Sequence, residues 1–251
     1  MLFRSAIDGI AAACEAVGAP VVSGNVSLFN ESDGTAIHPT PVVGAVGLLD
    51  DVSKAVAMGF QGPDDSVYLI APGCDNAATE GQSASLVGDA ADLAGSEYLR
   101  QVHGLTAGQP RIDLDLEARL QKALLQASDQ RLLRSAHDCS HGGLAVALAE
   151  ACLAGGVGFA GTASVRGRLD SALFGEAASR VVVSVRREDE TRLEALLREE
   201  KLPFAVIGRT GGDRLRLPPY IDTPVDGLRQ VYESGLEGAL AGTGGQPRGR
   251  G

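Results

Sequence analysis

The sequence has no tryptophan, few aromatic residues, four histidines and four cysteines among 251 residues. The cysteines, Cys14, Cys74, Cys139 and Cys152, are far apart and form no C-x-x-C pair. Neither a zinc ribbon nor a disulfide framework is therefore predicted. We expect reduced thiols and a cytoplasmic protein.

Basic residues and long apolar runs are also scarce. The sequence has 22 Lys and Arg residues and 32 Asp and Glu residues, a net charge of −10. This charge argues against nucleic acid as a partner. Phosphates of small molecules remain possible ligands, because backbone N–H groups and Mg²⁺ often hold them. No uncharged apolar stretch reaches the roughly 18 residues of a membrane span. Asp8 and Glu15 interrupt the N-terminal stretch, which predicts an amphipathic helix rather than a signal peptide.

The first 60 residues predict only part of an α/β domain. Helical spacing marks residues 4–17, and residues 20–23 and 42–49 have the apolar, β-branched character of strands. This order begins on a helix with no strand before it, so we expect a truncated domain over residues 1–60.

Residues 61–235 predict an α+β fold, an α/β sandwich with helices packed on an antiparallel or mixed sheet. We expect a long loop over residues 73–97, a hairpin at Gly211–Gly212, and a disordered tail over residues 236–251, glycine-rich from residue 241. The predicted strands are 66–71, 180–185, 204–208 and 214–217, and the predicted helices are 113–127, 142–153 and 188–200.

The motif SGNVSLFNES spans residues 23–32, between a predicted strand and a polar loop. Gly24 would allow close approach of a phosphate, Asn25 offers an amide oxygen that Mg²⁺ accepts, and Ser27 adds a hydroxyl. The alternative is a solvated turn that uses Gly and Asn for their tolerance of positive φ.

The second motif, SAHDCSHGGLAVALAE, spans residues 135–150. Asp138 or Ser140 could cap the helix that follows, and Gly142 and Gly143 would expose its first N–H groups to an anion. A capped core helix with a glycine-permitted close contact is the alternative reading.

The third motif, LFGEAASRVVVSV, spans residues 173–185 and places Glu176 four residues before Arg180. Arginine suits phosphate recognition, and the glutamate could orient it or bind a metal. The alternative is an exposed salt bridge. A fourth segment, GSEYL at 95–99, indicates little by itself.

Two further readings concern the residues around Cys139. His137 and His141 are four apart, but the predicted helix begins after them and no third ligand is indicated, so zinc is disfavoured. Cys139 beside these imidazoles could suggest a thiol nucleophile. A plain buried cysteine is the favoured reading.

These four segments and a fifth, IHPTPVVGAVGLLDDV (residues 37–52), resemble a known family when they are taken in chain order. They resemble the C-terminal third of the synthetase subunits of the formylglycinamide ribonucleotide amidotransferase family, over residues 5–235. The wider group is the aminoimidazole ribonucleotide synthetase-like superfamily. The resemblance implies that residues 1–60 are the end of an ATP-binding domain and residues 61–235 a complete sandwich domain.

The resemblance also implies an activity. Such enzymes use ATP and Mg²⁺ to activate the amide oxygen of formylglycinamide ribonucleotide and replace it with ammonia, a step of purine biosynthesis. The ammonia comes from glutamine through a glutaminase subunit, and a small bridging subunit completes the complex.

Carried over by motif, Gly24 corresponds to an ATP contact, Asn25 to a Mg²⁺ ligand and Ser27 to a substrate contact. For the remaining motif residues the resemblance implies structural support or phosphate contact. These residues are Asp138, Ser140, Gly142, Gly143, Glu176 and Arg180.

No catalytic residue of the family matches a residue of this sequence. We therefore expect a partial synthetase subunit that is inactive without an N-terminal repeat. The alternative is a non-catalytic nucleotide-binding or assembly module that forms homodimers. A self-sufficient kinase of the superfamily is disfavoured, because the sequence has no Asp-rich metal cluster.

Overall fold

A computed structural model describes residues 2–26, 31–37, 40–74 and 84–240. It is a mixed α and β structure in which a seven-stranded sheet carries helices on both faces. The helices are α1 (Leu2–Val17), α2 (Glu97–His103), α3 (Leu114–Asp129), α4 (Gly143–Gly155), α5 (Leu169–Phe174), α6 (Glu190–Glu199) and α7 (Val225–Leu240). The strands are β1 (Glu31–Ser32), β2 (Thr35–Ala36), β3 (Ser66–Ile70), β4 (Ser85–Gly88), β5 (Leu133–Asp138), β6 (Phe159–Gly161), β7 (Ser164–Gly167), β8 (Val181–Val185), β9 (Phe204–Thr210), β10 (Arg214–Leu217) and β11 (Ile221–Pro224).

The large sheet has the strand order β11-β10-β6-β9-β3-β8-β5. All neighbouring strands are antiparallel except β10 and β6, which are parallel. Alternation along the buried strand β3 explains the two helical layers, since successive side chains point to opposite faces. Val67 and Leu69 join α4 and α5 in one core, whereas Tyr68 and Ile70 join α3 and α6 in the other. The predicted α/β sandwich is therefore confirmed.

Most predicted elements of the sandwich are present, with two corrections. β6 lies between β9 and β10, so the two strands that residues 211–212 connect do not pair with each other, and the predicted hairpin is wrong. The predicted loop 73–97 is wrong in part, because β4 pairs in parallel with β7 and a short 3-10 helix follows at Ala90–Leu93; residues 75–83 of it lie outside the described residues. Both errors concern pairing partners distant in sequence, which local composition does not encode.

The N-terminal region lacks a core of its own among the described residues. α1 is present as predicted and lies against α3, which belongs to the sandwich. The predicted strands at 20–23 and 42–49 are wrong: both segments are unpaired and exposed, with Val22 92% and Val42 94% exposed. Their β-branched sequence favours extended backbone, but a strand needs a neighbour that the described residues do not provide.

The C-terminal helix α7 was not predicted. Its first residue, Val225, is buried in the core, and Arg229 donates to the backbone oxygen of Leu153 at the end of α4. α7 continues to Leu240, so residues 236–240 are helical rather than part of a disordered tail, and residues 241–251 lie outside the described residues. Within the described part of the chain, every helix is too short or too polar to cross a membrane.

Candidate functional site

Three of the sequence motifs meet at the carboxylate of Glu176. This residue lies in the connection between α5 and β8. Its Oε1 accepts one hydrogen bond from the backbone N–H of Gly142, just before α4, and one from that of Glu97, the first residue of α2, each 2.8 Å long. A carboxylate is a strong acceptor for N–H groups at helix starts, where no intrahelical partner exists. Glu176 therefore fixes the beginnings of two helices.

Two left-handed glycines give the chain its path around this carboxylate. Gly142 and Gly143 have φ values of 81° and 68°, a region that residues with a Cβ occupy at a cost. A Cβ on Gly143 would lie 2.6 Å from the backbone oxygen of Gly175 and 2.8 Å from the carbonyl carbon of Phe174. The start of α4 thus packs directly on the backbone that leads into Glu176.

The predicted capping of α4 by Asp138 or Ser140 is wrong. The residue before α4 is Gly142, and no side chain caps the helix from that position. Ser140 instead donates its hydroxyl to Asp138, and its backbone oxygen accepts the N–H of Gly143. The hydrogen bond from Ser140 is the main cause that lowers the pKa of the Asp138 carboxyl.

Arg180 points into the protein instead of toward Glu176. The guanidinium group is buried and donates to the backbone oxygens of Gly175 at 2.7 Å and Ala172 at 3.1 Å. The exposed salt bridge considered from the spacing of Glu176 and Arg180 is therefore wrong. Arg180 also acts on Asp92: burial raises the pKa of that carboxyl, and the nearby guanidinium partly opposes the increase.

A cavity of about 270 Å³ opens beside Glu176 and is lined in part by Asp138, Ser140, Glu176 and Arg180. It gathers four of the predicted residues, while Gly142 and Gly143 are not among its lining residues. The cavity presents three carboxylates, those of Glu117, Asp138 and Glu176, and two of the donors of Arg180 bind backbone oxygens. Repulsion from the carboxylates opposes an anionic ligand here, so this geometry favours structural support over phosphate contact.

The GSEYL segment completes the cluster, which its sequence alone did not indicate. Ser96 caps α2 by accepting the N–H of Leu99, and the ring of Tyr98 stacks on Phe174 with centroids 5.2 Å apart. No spacing in the sequence links residue 97 with residue 176. The fold alone brings them together.

His137 and Cys139 are placed in the sandwich without forming a reactive pair. His137 lies on β5, with its Nε2 2.9 Å from Oε2 of Glu150. Cys139 is buried, which raises the pKa of its thiol to about 12 and keeps it protonated near neutral pH. Across the part of the chain that the structure describes, no three His, Cys, Asp or Glu residues are grouped to hold a metal ion.

Gly24 and Asn25 lie apart from this cluster, on the exposed segment 20–26. A Cβ on Gly24 would meet no atom within 4 Å, so its backbone is open to a ligand. No hydrogen bond joins residues 20–26 to the rest of the described chain. Ser27, the third predicted contact, lies outside the described residues.

We expect Glu176→Ala to lower the free energy of unfolding by about 1–3 kcal/mol, because two N–H groups at helix starts lose their acceptor. Glu176→Gln keeps an oxygen acceptor and should cost less. Urea unfolding measures the difference, and amide hydrogen exchange should speed up at Gly142 and Glu97 in the alanine variant. Equal stability of the two variants would contradict the assigned role.

Comparison with protein-family models matches residues 62–217 to the C-terminal domain of AIR synthase related protein and residues 1–49 to its N-terminal domain. The chain is 45% identical over 236 residues to phosphoribosylformylglycinamidine synthase subunit PurL of Thermomicrobium roseum, covering 92% of this chain and 30% of that protein. The same subunit of an Anaeromyxobacter species is 40% identical over 249 residues, covering 95% of this chain and 30% of that protein. The chain thus spans about 30% of the length of these curated relatives.

Solved structures share the fold. T. maritima PurL complexed with FGAR aligns with a TM-score of 0.54 at 17% identity, covering 70% of this chain and 30% of that chain. PurLQS from Thermotoga maritima aligns with a TM-score of 0.51 at 16% identity, covering 70% of this chain and 28% of that chain.

Proposed function

The chain belongs to the AIR synthase related protein family, and on that premise we propose that it is part of a cytoplasmic phosphoribosylformylglycinamidine synthase subunit. The observation that carries the proposal is the 45% identity to such a subunit across 92% of this chain. Because the chain covers 30% of that relative's length, the activity proposed is that of the whole subunit. The reaction is the ATP-dependent amination of formylglycinamide ribonucleotide, with ammonia derived from glutamine.

Segment 20–26 would supply the contacts to nucleotide and metal, with residues 1–60 as part of an ATP-binding domain. Its exposure and lack of hydrogen bonds leave Gly24 open to a phosphate and the amide oxygen of Asn25 available to Mg²⁺. Magnesium keeps several waters and is commonly held by one or two protein oxygens together with phosphates, so a single amide ligand fits it. Bound Mg²⁺ would neutralise charge on the transferring phosphoryl group. Ser27 would contact the ribonucleotide.

The sandwich domain, residues 61–235, would act as the scaffold. Glu176 joins the starts of α2 and α4, and Arg180 holds the end of α5. A glutaminase subunit and a small bridging subunit would be the partners that deliver ammonia.

The test is ADP release from formylglycinamide ribonucleotide, ATP, Mg²⁺ and ammonium. We expect none from the chain alone, because Asn25 is the one proposed metal ligand and phosphoryl transfer needs further metal ligands and cationic groups at the same site. Adding the N-terminal part of the Thermomicrobium roseum subunit, up to where the match begins, should produce ADP. Turnover by the chain alone would contradict the proposal that other parts of the subunit supply the catalytic groups.

The exposed apolar residues favour a second candidate, an assembly module that forms homodimers. Val21, Val22, Val42, Val46 and Leu48 are all more than two-thirds exposed on unpaired segments, and unpaired edges with apolar side chains tend to associate. Light scattering on the chain alone should show a concentration-dependent increase in mass. A Val22→Lys, Val46→Lys variant should reduce it, and a strictly monomeric wild-type chain would contradict this candidate.

A further inference from the structure

A second cavity, of about 310 Å³, lies at the opposite end of β5 from Asp138. One wall is the segment 53–61, which lies between the regions matched to the two family models. The other wall is formed by the end of α3, the start of β5 and Arg186 after β8. The cavity therefore joins the connecting segment to the sandwich.

The cavity lining is basic although the chain is acidic. Four cationic side chains, Lys54, Arg131, Arg134 and Arg186, line it together with two serine hydroxyls. The chain has a net charge of −10, so four cations around one small cavity are a local concentration of positive charge. Cations gathered in a recess attract anions more strongly than scattered ones.

Carboxylates outside the cavity neutralise only part of the positive charge of these four side chains. Lys54 is paired closely with Asp129, at 2.8 Å. The two most exposed arginines have long ion pairs: Arg131 is 3.8 Å from Asp51, and Arg186 is 4.0 Å from Asp189.

The hydrogen bonds that these arginines form within the described chain involve few of their donors. The carboxylate of Asp189 is held more closely by Arg192, at 2.9 Å. Arg134 uses its Nε toward Asp65, and Arg131 donates one N–H to Ser53. A guanidinium carries five N–H donors, so most of those in the cavity remain available.

We infer that this cavity binds the phosphoryl group of a small anion, free or carried by a nucleotide, between the guanidinium groups of Arg131, Arg134 and Arg186. Planar guanidinium groups bind phosphate oxygens through paired hydrogen bonds, and the hydroxyls of Ser53 and Ser128 add further polar contacts.

Such a ligand would tie the connecting segment to the sandwich. Besides the contacts of Arg131 and Lys54, backbone oxygens of the segment already accept hydrogen bonds from the sandwich: the Ser128 hydroxyl donates to that of Lys54, and the N–H of Ala136 donates to that of Ala57. An anion bridging the Ser53 hydroxyl and the guanidinium group of Arg186 would strengthen this connection, so residues 53–57 should exchange their amide hydrogens more slowly when it is bound. This binding does not depend on the proposed ligase activity.

Isothermal titration calorimetry of the full chain with inorganic pyrophosphate and with ADP, at constant ionic strength, tests the inference. Arg131→Gln and Arg186→Gln should each weaken binding at least about tenfold, the loss of one charge-assisted contact. Arg216→Gln is the matched control, because Arg216 is similarly exposed and forms an ion pair with Asp222 at the opposite edge of the sheet. Equal affinity for pyrophosphate and ADP would show that the phosphate groups alone account for binding. Tighter binding of ADP that is lost in Arg186→Gln would identify a nucleotide as the ligand.

Absence of saturable binding of either probe to the wild-type chain would overturn the inference. So would an equal loss of affinity in Arg216→Gln and Arg186→Gln, since net charge alone would then explain binding. Arg131 and Arg186 are exposed, so both variants should fold, and thermal unfolding by circular dichroism verifies this.

Discussion

Replacing Gly143 with alanine should destabilise the sandwich by about 2–5 kcal/mol, the sum of the left-handed backbone cost and of overpacking against backbone atoms. Gly143 has φ of 68°, and a Cβ there would lie within 2.9 Å of three backbone atoms of Phe174 and Gly175. Backbone atoms cannot move aside as the end of a long side chain can. Relief would shift the start of α4 away from Gly175, and with it the Gly142 N–H from Glu176.

Gly235→Ala is the matched control, for which we expect the free energy of unfolding to change in the opposite direction. Gly235 lies inside the exposed helix α7, and a Cβ there would meet nothing within 4 Å, so alanine should stabilise by about 0.5–1 kcal/mol. Urea unfolding followed by circular dichroism suits both variants, because the chain has no tryptophan to report by fluorescence. An unchanged unfolding midpoint for Gly143→Ala would contradict the close packing described at Glu176.

Asn25→Ala should lower the rate of ADP formation at least about 100-fold in the enzyme reconstituted from this chain and the N-terminal part of a relative, if Asn25 binds the magnesium ion. The loss should exceed any change in stability, since Asn25 is exposed and has no hydrogen bond within the described chain. Raising the Mg²⁺ concentration should recover part of the rate, because Mg²⁺ would still be held by phosphate oxygens and waters once the amide oxygen is removed.

Asn25→Asp is the control that separates a metal ligand from a structural residue. Aspartate keeps a hard oxygen at nearly the same position and should retain most of the rate, with a changed dependence on Mg²⁺. Equal losses in the aspartate and alanine variants, both insensitive to Mg²⁺, would contradict the role proposed for Asn25.

Sequence patterns identified most of the sandwich because those elements are defined locally. The β-branched runs of β3 and β8 and the helical stripe of α3 carry their periodicity within a few residues. The motif at 173–185 and the glycine pair 142–143 also stand out in the sequence. The exposed salt bridge and the side-chain cap are wrong, because both depend on where other segments lie, whereas the glycine-permitted close contact is present at Gly143.

The remaining features depend on contacts between residues far apart in sequence. Glu176 binds N–H groups of residues 34 and 79 positions away, and β6 inserts between β9 and β10, which are consecutive in the chain. The cationic cavity was missed for the same reason, since its residues are spread from 53 to 186. In the N-terminal region the sequence predicts strands that are absent. Residues 20–23 and 42–49 favour extended backbone, but the described residues contain no strand to pair with them.

Mass spectrometry of the product formed with isotopically labelled ammonium tests the central claim most directly. The reconstituted enzyme should convert formylglycinamide ribonucleotide to a product in which one labelled nitrogen replaces the amide oxygen, with one ADP formed per product. Omitting this chain, or replacing it with the Asn25→Ala variant, should remove or nearly remove that product. Labelled product formed at the full rate without this chain, or ADP formed without label in the nucleotide, would contradict the proposed function.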